Sequence, residues 1–89
     1  MYERRLGSKF KKDIKRVQRR DFDMAKLKTV MTKITKGASL EKKYKDHPLI
    51  GQYKGYRDCH IEPDWVLIYR IADEIAYFYR TGTHSDVFK

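Results

Sequence analysis

An α+β fold, with two helices packed on one face of a small sheet, is what this sequence predicts, and three observations carry the prediction. Apolar residues recur at helical spacing across residues 8–36, then in the alternating, aromatic-rich pattern of strands across residues 53–81. A short strand-like stretch precedes the helices, so the order is strand, helix, helix, strand, strand, strand. The chain of 89 residues has room for one hydrophobic core and not for two, so residues 1–89 form a single domain.

Each element follows from local chemistry. Residues 2–6 have no helical stripe and end at Gly7, which suits a short first strand. Ser8 offers a hydroxyl N-cap, and Phe10, Ile14 and Val17 recur at i, i+4, i+7, one buried stripe of a helix running to about Arg20. The rest of that helix carries Lys9, Lys11, Lys12, Lys15, Arg16, Arg19 and Arg20, a nearly continuous cationic surface around a narrow apolar seam. Asp23 caps a second helix, whose apolar positions are Met24, Leu27, Val30, Met31 and Ile34, and Gly37 ends it. The join at 21–23 is too brief for a strand, so the two helices should form an antiparallel hairpin.

Residues 38–52, punctuated by Pro48 and Gly51, read as a loop. Three strands follow at 53–61, 65–71 and 75–81, separated by Glu62-Pro63-Asp64 and Ala72-Asp73-Glu74, an antiparallel meander. In Trp65-Val66-Leu67-Ile68-Tyr69 both alternating sets are apolar, so neither face of that strand is made for bare water. Its second face either curves into a groove or is covered by a partner.

Lysine and arginine number 21 against 12 acidic residues, a net charge of +9, and that surplus on so small a domain draws polyanions. Residues 1–45 hold 16 basic and 5 acidic residues, whereas residues 46–89 hold 5 and 7, so the charge sits almost wholly in the first half. RNA is the partner this distribution favours. The longest apolar run, 65–69, is far short of the roughly 20 residues of a membrane span, and the first ten residues lack an apolar signal core. A single cysteine, Cys59, rules out an internal disulfide and multi-cysteine zinc folds, which fits a reducing cytoplasm.

All three histidines, His47, His60 and His84, lie in the less basic half, among carboxylates and other polar groups. Cutting RNA without a metal ion requires a base for the 2′-hydroxyl proton, an acid for the leaving 5′-oxygen, and a cation for the charge gathering on phosphorus. His60 and Asp64 flank one turn, and Arg80 and His84 lie on and after the last strand, where the meander would bring them together. Read singly, each has an ordinary explanation: Asp64 as a turn residue, Trp65 as core, Arg80 as an ion-pair partner. A zinc set of His47, Cys59, His60 and His84 is disfavoured, because adjacent strand residues point to opposite faces. The same alternation separates Cys59 from a histidine base.

The strings YKDHPLIGQYKGYRDCHIEPDWVLIYRI and FYRTGTHSDVF, in this order, resemble the YafQ branch of the RelE/ParE superfamily of bacterial toxins over residues 44–88. Residues 1–43 resemble it only in pattern. The resemblance implies an endoribonuclease that cuts messenger RNA in the ribosomal A site, without metal or other cofactor, using the 2′-hydroxyl as nucleophile. It also implies a cognate antitoxin, with operator DNA met only indirectly through the complex with that antitoxin. The family's functional positions fall on His47, His60, Asp64, Trp65, Arg80, His84 and Phe88. In that reading His60 or Asp64 is the general base, His84 the general acid and Arg80 the stabiliser of the phosphorane. His47 completes the site, and Trp65 and Phe88 hold or stack a base. A ParE-like inhibitor of DNA gyrase would need no histidine set, and a non-catalytic RNA-binding module would leave the histidines incidental.

The cationic helix would then grip ribosomal RNA through Lys11, Lys12, Lys15 and Arg16. Changing all four to Gln is expected to weaken ribosome binding and flatten its dependence on salt, measured by titration at several ionic strengths. An unchanged slope would sink the assignment.

Overall fold

Gly7 joins the first strand to the first helix, and its position explains both ends. Its backbone N–H donates to the carbonyl of Phe78 at 2.9 Å and its carbonyl accepts from Lys11, so it is the N-cap, one residue before Ser8. Ser8 supplies no capping bond because it already lies inside the helix. In this computed structural model, which describes residues 1–88, the elements are β1 (Glu3–Leu6), α1 (Ser8–Arg19), α2 (Met24–Thr35), β2 (His47–Pro48), β3 (Arg57–Glu62), β4 (Trp65–Ala72), β5 (Ile75–Gly82) and α3 (His84–Val87). Short 3-10 turns at Lys42–Tyr44 and Gly51–Tyr53 flank β2.

The five strands lie in the order β1-β5-β4-β3-β2, with β1 parallel to β5 and the other neighbours antiparallel. The expected meander is therefore extended by one strand, because His47 and Pro48 pair with Asp58 and Arg57. Residues 53–56 do not belong to β3; they complete a 3-10 turn and the bend at Gly55. Asp73 and Glu74, both at positive φ, form a two-residue hairpin loop between β4 and β5, a geometry that matches strand twist. The helical hairpin is held more by the sheet than by itself, since α1 takes its main contacts from β5 and α2 from β3.

One face of the sheet and the two helices enclose the principal core. Phe10 and Val17 of α1 and Leu27, Val30, Met31 and Ile34 of α2 pack on Cys59, Ile61, Trp65, Leu67, Tyr69, Ala76 and Phe78. β4 is the central strand, and its other apolar set, Val66 and Ile68, has its own cover. Val87 of α3 lies there, with Leu49, Tyr53, Tyr56 and Tyr79 around it. The chain thus covers the second face with its own 49–56 segment and α3, which explains why both alternating sets of β4 are apolar.

One buried charge interrupts the seam of α1. Asp13, 1% exposed, accepts from Arg80 Nε at 2.7 Å, from the Thr81 backbone N–H at 3.1 Å and from Arg16 at 3.0 Å. Thr81 in turn accepts from the Trp65 indole and donates to the carbonyl of Val66, so α1, β5 and β4 share one hydrogen-bonded knot. Beside it, Phe10 is fully buried against Phe78. Phe10→Ala is expected to cost about 3 to 5 kcal/mol of stability through lost burial and the cavity left behind, read from the midpoint of urea unfolding.

Candidate active site

Alternation along β3 sorts its residues between two environments. Cys59 and Ile61 enter the helix-side core, so Asp58 and His60 stand on the opposite face. Burial pushes the Cys59 thiol pKa up, which leaves it protonated and inert. Pairing of β2 with β3 sets His47 opposite Asp58. Its imidazole Nε2 lies 3.7 Å from Asp58 Oδ2, and that of His60 lies 3.9 Å from the same oxygen. The His47 ring is aimed by its Nδ1, which donates to the Lys45 carbonyl at 2.7 Å.

His84 reaches the same place from the other end of the sheet. It opens α3, whose N-cap Thr83 exchanges two hydrogen bonds with Asp86 in a capping box. Gly82 permits this approach: at φ +148, a Cβ there would sit 2.9 Å from Asp86 Oδ2. Asp64, in the β3–β4 turn, accepts both the His84 backbone N–H at 3.0 Å and its Nδ1 at 2.6 Å on a single oxygen. That pairing fixes the ring with Nδ1 donating and Nε2 turned away from the carboxylate.

The result is a row. His47 and His60 have ring centroids 6.4 Å apart, His60 and His84 5.2 Å, and His84 and Phe88 6.1 Å. Tyr53 meets Phe88 edge-on at 5.8 Å and supports the far end. Arg80 makes no hydrogen bond to the rings among the described residues. Its Nε and Nη2 bind Asp13, and Nη2 also donates to the Asp86 carbonyl, two residues beyond His84.

The carboxylates differ in setting. Asp58 is 4% exposed, its Oδ1 has no hydrogen-bond partner among the described residues, and burial raises its pKa against the opposing pull of His60, His47 and His84. Asp64 is exposed, and the His84 backbone N–H, then its ring, hold the carboxyl below its usual value. Asp13 raises the pKa of the Arg80 guanidinium, which stays charged.

The sequence therefore places five of its candidates together: His47, His60, Asp64, His84 and Phe88. Trp65 is a correction. It is 1% exposed on the helix side, its indole bonded to Thr81 and its ring edge-on to Phe22 at 4.9 Å, so it cannot stack a nucleobase. Arg16 is half-engaged, its Nη1 paired with Asp13 at 3.0 Å and its side chain 34% exposed, whereas Lys11, Lys12 and Lys15 are exposed. Three residues were missed. Asp58 lies two positions before His60, which on a strand means the same face. Asp13 stands in the Phe10–Val17 seam, where only an apolar residue is expected. Tyr53 follows from neither pattern.

Over residues 2–89 the chain matches the family described as bacterial toxin of type II toxin-antitoxin system, YafQ. This chain belongs to the YafQ family of bacterial toxins. It is 51% identical over 83 residues to the mRNA interferase toxin YafQ of Escherichia coli K12, spanning 92% of this chain and 90% of that one. The crystal structure of YafQ from E. coli BL21(DE3) superposes with a TM-score of 0.95 at 44% identity, covering both chains completely. YafQ in the E. coli DinJ-YafQ toxin-antitoxin complex superposes with a TM-score of 0.91 at 46% identity, over 99% of this chain and 98% of that one. The YafQ fold is thus shared from β1 to α3.

A raised folded-state pKa means that the protonated carboxyl is favoured in the fold, so Asp58 makes stability decline as pH rises above the ordinary carboxylate value of 3.8. Asp58→Asn is expected to flatten that decline, gaining more in Tm at pH 7 than at pH 4. Equal changes at both pH values in thermal melts would refute the burial assignment.

Proposed function

We propose that this toxin is an mRNA interferase that cuts messenger RNA in the ribosomal A site, and that a cognate antitoxin silences it. One observation carries the reading: His60 and His84 stand side by side, centroids 5.2 Å apart, each next to a carboxylate. Two imidazoles at that separation suit a base and an acid acting on one phosphodiester.

His60 takes the proton from the 2′-hydroxyl, and the freed oxygen attacks phosphorus. The 5′-oxygen leaves with a proton from His84, giving a 2′,3′-cyclic phosphate and a 5′-hydroxyl. Asp64 accepts from the His84 backbone and ring through Oδ1, so its task is to hold that ring with Nε2 presented to the substrate. Asp58, from inside the sheet face, lies 3.7 Å from His47 and 3.9 Å from His60 and orients both rings by charge. Arg80 supplies the fixed cation: with Nε and Nη2 held by Asp13 and the Asp86 carbonyl, Nη1 is the nitrogen left to meet the phosphorane. Phe88, 36% exposed beside His84, is the ring that can stack on a base of the codon. Every proton carrier and the cation are side chains of this chain, so the reaction is written without a metal ion.

The charge division supports a substrate presented by the ribosome. The exposed Lys11, Lys12 and Lys15 of α1 suit the phosphates of ribosomal RNA, while the histidine row lies in the less basic half. No helix among the described residues is long and apolar enough to cross a membrane, and a ribosomal target places the toxin in the cytoplasm. That an antitoxin engages a YafQ chain is known from the E. coli DinJ-YafQ complex.

Incubation of the purified toxin with programmed ribosomes, with cut sites mapped in the message, tests the reading. His60→Ala and His84→Ala are each expected to lose on the order of 100-fold or more in cleavage rate, the scale of one lost proton transfer. Cleavage as strong in both variants as in wild type would exclude the mechanism.

A further inference from the structure

A groove of about 380 Å³ lies beside the histidine row, between α2, the Lys42–Tyr44 turn and β3. Lys26, Lys43 and Lys45 stand around it, Ile61 and Pro63 give it an apolar side, and His60 forms one wall. The same His60 ring is the middle member of the row. The groove is tied to the row a second time, because Lys45, in the left-handed region at φ +50, directs its carbonyl to His47 Nδ1.

Its charge is uneven in a useful way. Glu62 is the one acidic group in the lining, and it lies 3.7 Å from Lys26. Lys43 is 3.9 Å from Glu41, an exposed and loose contact, and Lys45 has no carboxylate partner among the described residues. Lys45, whose backbone carbonyl meets His47 Nδ1, thus brings an ammonium group without a carboxylate partner among the described residues, and Lys43 adds one held only by exposed Glu41. A polynucleotide with its reacting phosphate between His60 and His84 must continue in both directions, and here a cationic channel begins at one of those two rings.

We propose that this groove binds the message strand on one side of the cut, with Lys43 and Lys45 holding the phosphate next to the scissile one. The proposal rests on the ribonuclease reading above. Lysine suits the task, since a flexible point charge follows a backbone whose bases vary. The bound strand would press the scissile phosphate against His60, so the groove contributes to affinity and register rather than to proton transfer.

Lys43→Gln/Lys45→Gln is expected to raise the toxin concentration for half-maximal cleavage on programmed ribosomes about tenfold, with the maximal rate within about twofold of wild type. Lys28→Gln/Lys36→Gln, which removes the same charge outside the groove, should stay within about twofold in both. Equal losses in the two pairs would overturn the proposal in favour of the general field. Unchanged cleavage with weakened inhibition by the antitoxin would overturn it in favour of a peptide occupant, for which the edge of β3 beyond Asp58, unpaired by β2, offers a template. A second measurement uses Lys45→Cys carrying a photoactivatable maleimide, specific because Cys59 is fully buried, on ribosomes holding a message with a 2′-deoxy nucleotide at the cut position. Crosslinks to the message beside the A site are expected; crosslinks confined to ribosomal RNA, or none, would overturn the groove. If this form crosslinks to message while wild type never cuts an unmodified one, the nuclease reading fails and the groove stands.

Discussion

The ion pair between Asp13 and Arg80 is the constraint on which the rest of the molecule depends. A carboxylate enclosed to this degree is costly unless each oxygen is matched, and here the matches come from Arg80, Arg16 and the Thr81 backbone. Those partners lie on α1 and β5, so the pairing fixes how the first helix crosses the last strand. It also fixes Arg80, whose remaining bond goes to the backbone of α3. Arg20 at the end of α1 reaches Asp86 at 2.8 Å and pins α3 from the same side. Burial raises the Asp86 pKa, but the Thr83 backbone N–H, Arg20 and the Thr83 hydroxyl outweigh it and keep the carboxyl below its ordinary value. Placement of His84 therefore runs back through a chain of charges to a helix on the far side of the sheet.

The sheet divides labour between its faces. The helix side is closed by large apolar residues and contributes most of the burial. The other side is closed by a short irregular segment and a four-residue helix, light cover that leaves His47 and His84 open to solvent. The carboxylates follow the same division. Asp58, under the row, is deprived of water, whereas Asp64 at its rim is exposed and accepts two hydrogen bonds from His84 on one oxygen. Two acids thus hold similar imidazoles in different ways, one by unshielded charge and one by direct bonding.

Much of this was legible in the sequence because two periodicities and one charge contrast were strong. The stripe of Phe10 and Val17, the second stripe from Leu27 to Ile34, and the double apolar pattern of β4 each point to the element that forms. His60 and His84 were identifiable as a pair once the meander was assumed. The two-residue strand at His47 was not, since no pattern is visible in two residues and Pro48 argues against a strand unless it lies at an edge, where it does. The resemblance assigns Trp65 to base stacking, whereas the apolar alternation of β4 already points to the core where it lies. The partner of Arg16 was not visible, because Asp13 lies in the apolar seam.

The pairing of β1 with β5 joins Glu3 to Ile75 and Leu6 to Phe78, the most distant strand contact along the chain. Contacts of such separation carry the largest loop-closure cost and form slowly. Until β1 docks, β5 is an edge strand, its outer row of N–H and C=O groups open between Ile75 and Phe78. Docking of the first strand thus covers that row of β5 and replaces it with an edge that carries Arg4 and Arg5, charges that discourage association edge to edge.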